Sequence, residues 1–93
     1  MTTGAVDTAT RTLTVRYFAA AKAAAGTAEE SVAIPEGATV ADAVAALGAA
    51  HGAELGRVLE RCSFLLDEVA VRDRSAALGG AATLDVLPPF AGG

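Results

Sequence analysis

Two stretches of alternating apolar and polar residues stand at opposite ends of the chain, with the clearest helical pattern between them, and this arrangement constrains the fold more than any other feature. Across residues 12–18, Leu13, Val15 and Tyr17 alternate with Thr12, Thr14, Arg16 and Phe18, the period of two that marks a half-buried strand. A second alternating run covers residues 83–87, after Gly79-Gly80. Between them Thr39, with Asp42 three residues later, matches a capping box, and Val40, Val44 and Leu47 recur at helical spacing. A chain of 93 residues has room for one modest core and no second domain. Strands at both ends and a helix between them therefore fit one mixed sheet covered by one main helix.

The remaining segments complete this outline. Residues 19–25 are helix formers, and Gly26 is placed to stop them. Residues 30–34 alternate again, with Val32 and Ile34 on one face, and Pro35-Glu36-Gly37 supplies turn chemistry. Gly48 weakens the main helix and Gly52 ends it; Leu55, Val58 and Leu59 then suggest a further turn or two. Residues 63–66 and 69–71 read as short strands flanking an Asp67-Glu68 turn. Residues 1–11, rich in Thr, Ala and Gly without apolar periodicity, read as a disordered leader. No internal repeat is present. The predicted class is α+β, with about five strands packed on one main helix over residues 12–87, which is the element order of a β-grasp.

Composition excludes several functions. The formal charge is −4 and no run of Lys or Arg is long enough to neutralise a phosphate backbone, so nucleic acid is not an expected partner. The opening residues lack a basic start followed by an apolar stretch, and no run approaches the roughly 18 apolar residues of a membrane span. Cys62 is the one cysteine, with no second thiol to pair with and no cluster of metal ligands around it. A soluble, cytoplasmic protein is expected, with no bound metal or cofactor. His51 near a helix end is explained by the helix dipole, and Glu29-Glu30 and Asp67-Glu68 as solubilising charges.

The chemistry is expected in residues 88–93. Here Pro88, Pro89, Phe90, Ala91, Gly92 and Gly93 follow the last strand with no turn to return them to the core, so they should protrude as a tail. Successive prolines remove two backbone donors and hold an extended, polyproline-like root that cannot lengthen the sheet ladder. Gly92 and Gly93 lack a β-carbon and suit passage through a narrow channel. A carboxylate is a poor electrophile, and the sequence holds neither a phosphate-cradling loop nor a nucleophile–base set, so activation of Gly93 must come from a partner. The competing explanation is a frayed terminus with no role. Phe90 is either an anchor for a partner pocket or an incidental exposed aromatic. Phe18 and Leu87 lie opposite the main apolar faces of their strands, and form either a partner patch or a second small core.

A β-grasp of this length ending Leu87-Pro88-Pro89-Phe90-Ala91-Gly92-Gly93 resembles the MoaD branch of the MoaD/ThiS sulfur carriers. Val15-Arg16-Tyr17-Phe18-Ala19 is similar to the family's first strand, and Pro35-Glu36-Gly37-Ala38-Thr39-Val40 to its turn into the main helix. One departure is Gly80-Ala81-Ala82, where many members carry Gly-Asp, so altered turn chemistry is expected there. The resemblance implies that an adenylyltransferase related to ubiquitin-activating enzymes adenylates Gly93 with ATP, and that a sulfur donor protein displaces AMP to leave a thiocarboxylate. Leu87, Pro88, Pro89, Phe90, Ala91 and Phe18 are the candidate residues for contacting partners. The resemblance further implies that the tail, with Gly92 giving clearance, enters the large subunit of molybdopterin synthase. There the thiocarboxylate would give its sulfur to cyclic pyranopterin monophosphate. Delivery to cysteine, thiamine or another biosynthesis, isopeptide modification of proteins as by ubiquitin, and an interaction domain with an inert terminus remain open alternatives.

Overall fold

A computed structural model describes residues 9–89 of the chain. Eight elements follow in order: β1 (Thr10–Tyr17), α1 (Ala19–Ala25), β2 (Glu29–Pro35), α2 (Val40–His51), α3 (Ala53–Arg61), β3 (Ser63–Leu66), β4 (Val69–Ala70) and β5 (Thr83–Leu87). The strands form one mixed sheet in the order β2-β1-β5-β3-β4. β1 and β5, the two alternating runs from opposite ends of the chain, lie side by side and parallel, with Val15 opposite Leu84 and Tyr17 opposite Val86. β2 is antiparallel to β1, and β3 is antiparallel to both β5 and β4. This is the predicted five-stranded mixed sheet.

Local chemistry explains the element boundaries. Gly26 closes α1 in the left-handed conformation at φ 80°, donating its N–H to the Lys22 carbonyl. Both halves of the capping box at α2 are formed: the Asp42 N–H donates to Thr39 Oγ1 at 3.1 Å, and the Thr39 N–H to Asp42 Oδ2 at 2.9 Å. Gly52 ends α2 and starts α3 at φ 106°. α2 and α3 approach closely where a β-carbon on Gly48 would lie 3.6 Å from the Gly56 Cα. Asp67 and Glu68 have φ of 46° and 71°, the doubly left-handed turn whose twist matches a two-residue hairpin.

Three expectations are corrected. β1 starts at Thr10, since Thr10 pairs with Pro35 and Arg11 with Ile34, so two residues of the expected leader belong to the sheet; residues 1–8 lie outside the described residues. α3 runs for 9 residues rather than one or two turns, because Leu55 and Leu59, one turn apart, are both buried in the core. β4 stops at Ala70, one residue short of the expected strand.

The core lies between the sheet and the helices. Leu13, Val15, Tyr17, Ile34, Phe64, Leu84 and Val86 from the sheet meet Ala21 of α1, Val40, Ala43 and Leu47 of α2, and Leu55 and Leu59 of α3. Each fully buried leucine stabilises the fold by about 1.5–3 kcal/mol. The loop before β5 is fastened at both ends. Arg74 Nη2 donates to the Leu59 and Cys62 carbonyls, each at 3.0 Å, and more weakly to Glu60. The Arg74 and Ala76 carbonyls in turn accept the Ala41 and Val40 N–H groups at the start of α2. In place of the Gly-Asp turn chemistry, Asp67 Oδ1 accepts the N–H groups of Ala82 at 3.0 Å and Thr83 at 2.9 Å. Asp67 is therefore a structural acceptor as well as a solubilising charge.

Candidate functional site

The site begins where the chain leaves β5. Leu87 is half-buried, Pro88 half-buried and Pro89 exposed. These three, with Ser63 of β3, form one wall of an apolar groove of about 520 Å³ whose other wall is Phe18, Ala19 and Ala20. The opposite wall depends on a tight junction between β1 and α1. Ala19 takes a left-handed φ of 52°, an unusual conformation for a residue with a β-carbon that costs roughly 1–3 kcal/mol. Phe18 precedes it in extended conformation and is 41% exposed. Phe18 and Leu87 therefore share an open groove, and no second core buries them both.

Among the predicted site residues, the structure thus gathers Phe18, Leu87, Pro88 and Pro89 around one groove at the root of the tail. Phe90, Ala91, Gly92 and Gly93 lie outside the described residues. Pro88 and Pro89 are in no strand, which agrees with two residues lacking backbone donors.

Several polar groups near this region escaped the sequence reading. Asp85, buried in the middle of β5, makes a bidentate pair with Arg16 of β1: Nε to Oδ1 at 2.6 Å and Nη2 to Oδ2 at 2.9 Å. The hydrogen bonds and charge of Asp85 hold the Arg16 guanidinium above its already high range. On the other face Glu30 Oε2 accepts the Tyr17 hydroxyl at 2.6 Å and meets His51 Nε2 at 2.5 Å. Burial pushes the Glu30 carboxyl up, but the bonds from Tyr17 and His51 outweigh it and hold it below its usual range. Burial, and then the Glu30 carboxylate, push the Tyr17 hydroxyl far up. Glu30 is thus a structural hub, while Glu29 beside it is exposed.

No group of three or more potential metal ligands occurs among the described residues, and no helix there is long and apolar enough to cross a membrane. Cys62 is buried, its thiol donates to the Val58 carbonyl at 3.2 Å, and burial, only partly offset by Arg74, pushes its pKa up. A thiol so placed is a poor nucleophile.

A mixed sheet with two strands parallel at its centre and helices on one face defines a ubiquitin-like β-grasp protein. The family model described as the ThiS family matches residues 15–93, and the chain belongs to that family. It is 35% identical to the molybdopterin synthase sulfur carrier subunit of Chlamydomonas reinhardtii, over 85% of this chain and 95% of that protein. The crystal structure of SAMP1, a small archaeal modifier protein from Haloferax volcanii, superposes with a TM-score of 0.76 at 28% identity, covering 89% of this chain and 100% of that one. Subunit 1 or 2 of a molybdopterin-converting factor complex from Helicobacter pylori shares the fold with a TM-score of 0.60 at 23% identity, over 89% of this chain and 100% of the other.

Proposed function

We propose that this chain is the sulfur-carrying small subunit of a molybdopterin synthase, with the Gly93 carboxylate as the group that bears sulfur. The observation that carries the reading is the 35% identity to a molybdopterin synthase sulfur carrier subunit across 95% of that protein. A partner adenylyltransferase spends ATP to join the Gly93 carboxylate to AMP. A sulfur donor protein then delivers the sulfur that displaces AMP, leaving a thiocarboxylate. The large synthase subunit receives the tail and passes the sulfur to a pterin precursor. The carrier itself supplies a stable globule, a stiff root at Pro88 and Pro89, a slim tip at Gly92 and Gly93, and a groove of Phe18 and Leu87 as the docking point. Phe90 and Ala91 connect root to tip, and Phe90 anchors the tail in the partner. This cycle fits a reducing cytoplasm, in which Cys62 stays a thiol.

Intact mass spectrometry of the native protein tests the central step. The expected result is replacement of one oxygen by sulfur, localised to Gly93, in part of the population; the absence of any sulfur-bearing form in cells that are making molybdopterin would refute it. Co-purification of a large synthase subunit supports the assigned acceptor, whereas capture of a cysteine- or thiazole-forming enzyme would replace it. The likeness to a small archaeal modifier protein favours one second reading, isopeptide attachment of Gly93 to other proteins. Higher-mass conjugates that vanish when Gly93 is deleted would support that use.

A further inference from the structure

β2 and β4 are the two edges of the sheet, and β2 is the long one, with 7 residues against 2. An edge strand presents a row of backbone donors and acceptors, which proteins blunt with charges, prolines or bulges. Pairing with β1 fixes which groups of β2 these are. The Tyr17 N–H donates to the Ala28 carbonyl and the Glu36 N–H to that of Ala9, so the even-numbered residues of β2 bond to β1, while Glu29, Ser31, Ala33 and Pro35 turn their backbone groups outward. Both ends of this row are already closed. Thr27 Oγ1 donates to the Glu29 carbonyl at 3.0 Å, the Ala38 N–H donates to the Pro35 carbonyl at 3.2 Å, and proline has no N–H of its own. The middle is open. The N–H and C=O groups of Ser31 and Ala33 have no hydrogen-bond partner among the described residues, both side chains are small and exposed, and the register runs without a bulge. Residues 31–34 carry no charge, and the Glu30 carboxylate is drawn to Tyr17 and His51.

We propose that this open edge pairs with the same edge of a second copy of the chain, antiparallel about a two-fold axis at Val32, so that two sheets become one. In that register Ser31 of each copy meets Ala33 of the other, and each such pair exchanges two N–H···O bonds, which uses every open group and leaves none over. Val32 meets Val32 in the close pair between them, bringing two half-buried β-branched side chains together. Neighbouring registers fit worse. An axis at Ser31 sets the Ala33 N–H against the Glu29 carbonyl that Thr27 already occupies. An axis at Ala33 sets the Ser31 carbonyl against Pro35, which has no N–H, and puts Glu30 opposite Glu36. With the axis at Val32, Glu29 faces Pro35 and Glu30 faces Ile34, so no carboxylate opposes another. Few residues take part, fewer than the roughly 20–30 a side of a standard interface, so the dimer is weak and concentration-dependent. The two copies run in opposite directions, and their Pro88–Pro89 roots therefore leave from opposite ends of the joined sheet.

Sedimentation equilibrium of the full-length chain from about 20 µM to about 1 mM should show the average mass climbing toward that of two copies. Ser31→Pro deletes an outward N–H that makes no bond to β1, so the variant should keep its circular dichroism spectrum and associate at least about tenfold more weakly. Ala33→Glu keeps every backbone donor and places a charge on the edge, and should weaken association to a similar degree even if the proline variant fails to fold. Disulfide trapping reads the register. A close antiparallel pair sets its Cα atoms about 4.5 Å apart, within disulfide range, so Val32→Cys should cross-link between copies at least about tenfold faster than Ser31→Cys. Cys62 is buried and takes no part. A single-copy mass across the whole range, undiminished association in a folded variant, or faster cross-linking through residue 31 would each overturn the proposal. These outcomes are independent of whether Gly93 carries sulfur.

Discussion

Replacing Arg74 with methionine should destabilise this protein by about 2–4 kcal/mol, although Arg74 does not line the groove at the tail root. One guanidinium nitrogen serves the Leu59 and Cys62 carbonyls at 3.0 Å just where α3 ends, the Leu59 carbonyl also accepting the Cys62 N–H at 3.2 Å. A hydrogen bond from a charged donor contributes about 1.5–3 kcal/mol, a cation at a helix C-terminus about 0.3–1 kcal/mol, and a guanidinium 4.7 Å from the Phe64 ring centre about 0.5–1 kcal/mol. Because one group makes all three contacts, the sum is an upper bound and a total of about 2–4 kcal/mol follows. Methionine keeps the length and apolar stem of the side chain, so the loss isolates the polar contacts. In a domain of this size about 1 kcal/mol moves the midpoint by roughly 4–8 °C, and the variant should melt about 10–25 °C lower. Urea denaturation followed by far-ultraviolet circular dichroism measures the change, with an unaltered m-value showing that the same surface is exposed. Arg74→Lys should fall between the two. A loss below about 0.5 kcal/mol for Arg74→Met would place Arg74 among ordinary surface residues and refute the reasoning.

Other consequences are open to measurement. Since its partners hold the Glu30 carboxyl below its usual range, its contribution is complete above the ordinary glutamate value of about 4.3 and is lost as pH falls through the lowered value; urea midpoints should drop over that acid range in the wild type and less steeply in Glu30→Gln. At neutral pH Glu30→Gln should lose about 1 kcal/mol, the hub being partly solvated. Gly48→Ala should stabilise by about 0.5–1 kcal/mol, because the added carbon meets Gly56 at ordinary contact distance. Gly48→Leu should push α2 and α3 apart and cost about 1–3 kcal/mol, and equal stabilities for the two variants would contradict the close approach. Phe18→Asp should leave stability within about 0.5 kcal/mol of wild type, the ring being 41% exposed, while weakening capture of the large subunit in a pull-down; unchanged capture would remove the groove from the interface.

What the sequence determined on its own is what local periodicity and backbone chemistry control. The alternation at residues 12–18 and 83–87, the Thr39–Asp42 capping box and the stops at Gly26 and Gly52 all act within a few residues, so each could be read before the fold was known. The expectation of a tail rests on the same kind of local chemistry, two prolines and two glycines, and of it the structure describes Pro88 and Pro89, which lie in no strand. The tertiary structure alone decided which distant residues meet. Arg16 and Asp85 are 69 residues apart and pair only because β1 and β5 lie parallel in one register; a shift of one residue would send each side chain to the opposite face. Asp67 reaching Ala82 and Thr83, Glu30 gathering Tyr17 and His51, and Phe18 sharing a groove with Leu87 and Pro89 depend on the same strand register and helix placement. Periodicity tells each segment which face to bury, but charges and aromatics across a sheet find partners only once the packing of the whole core has set the register.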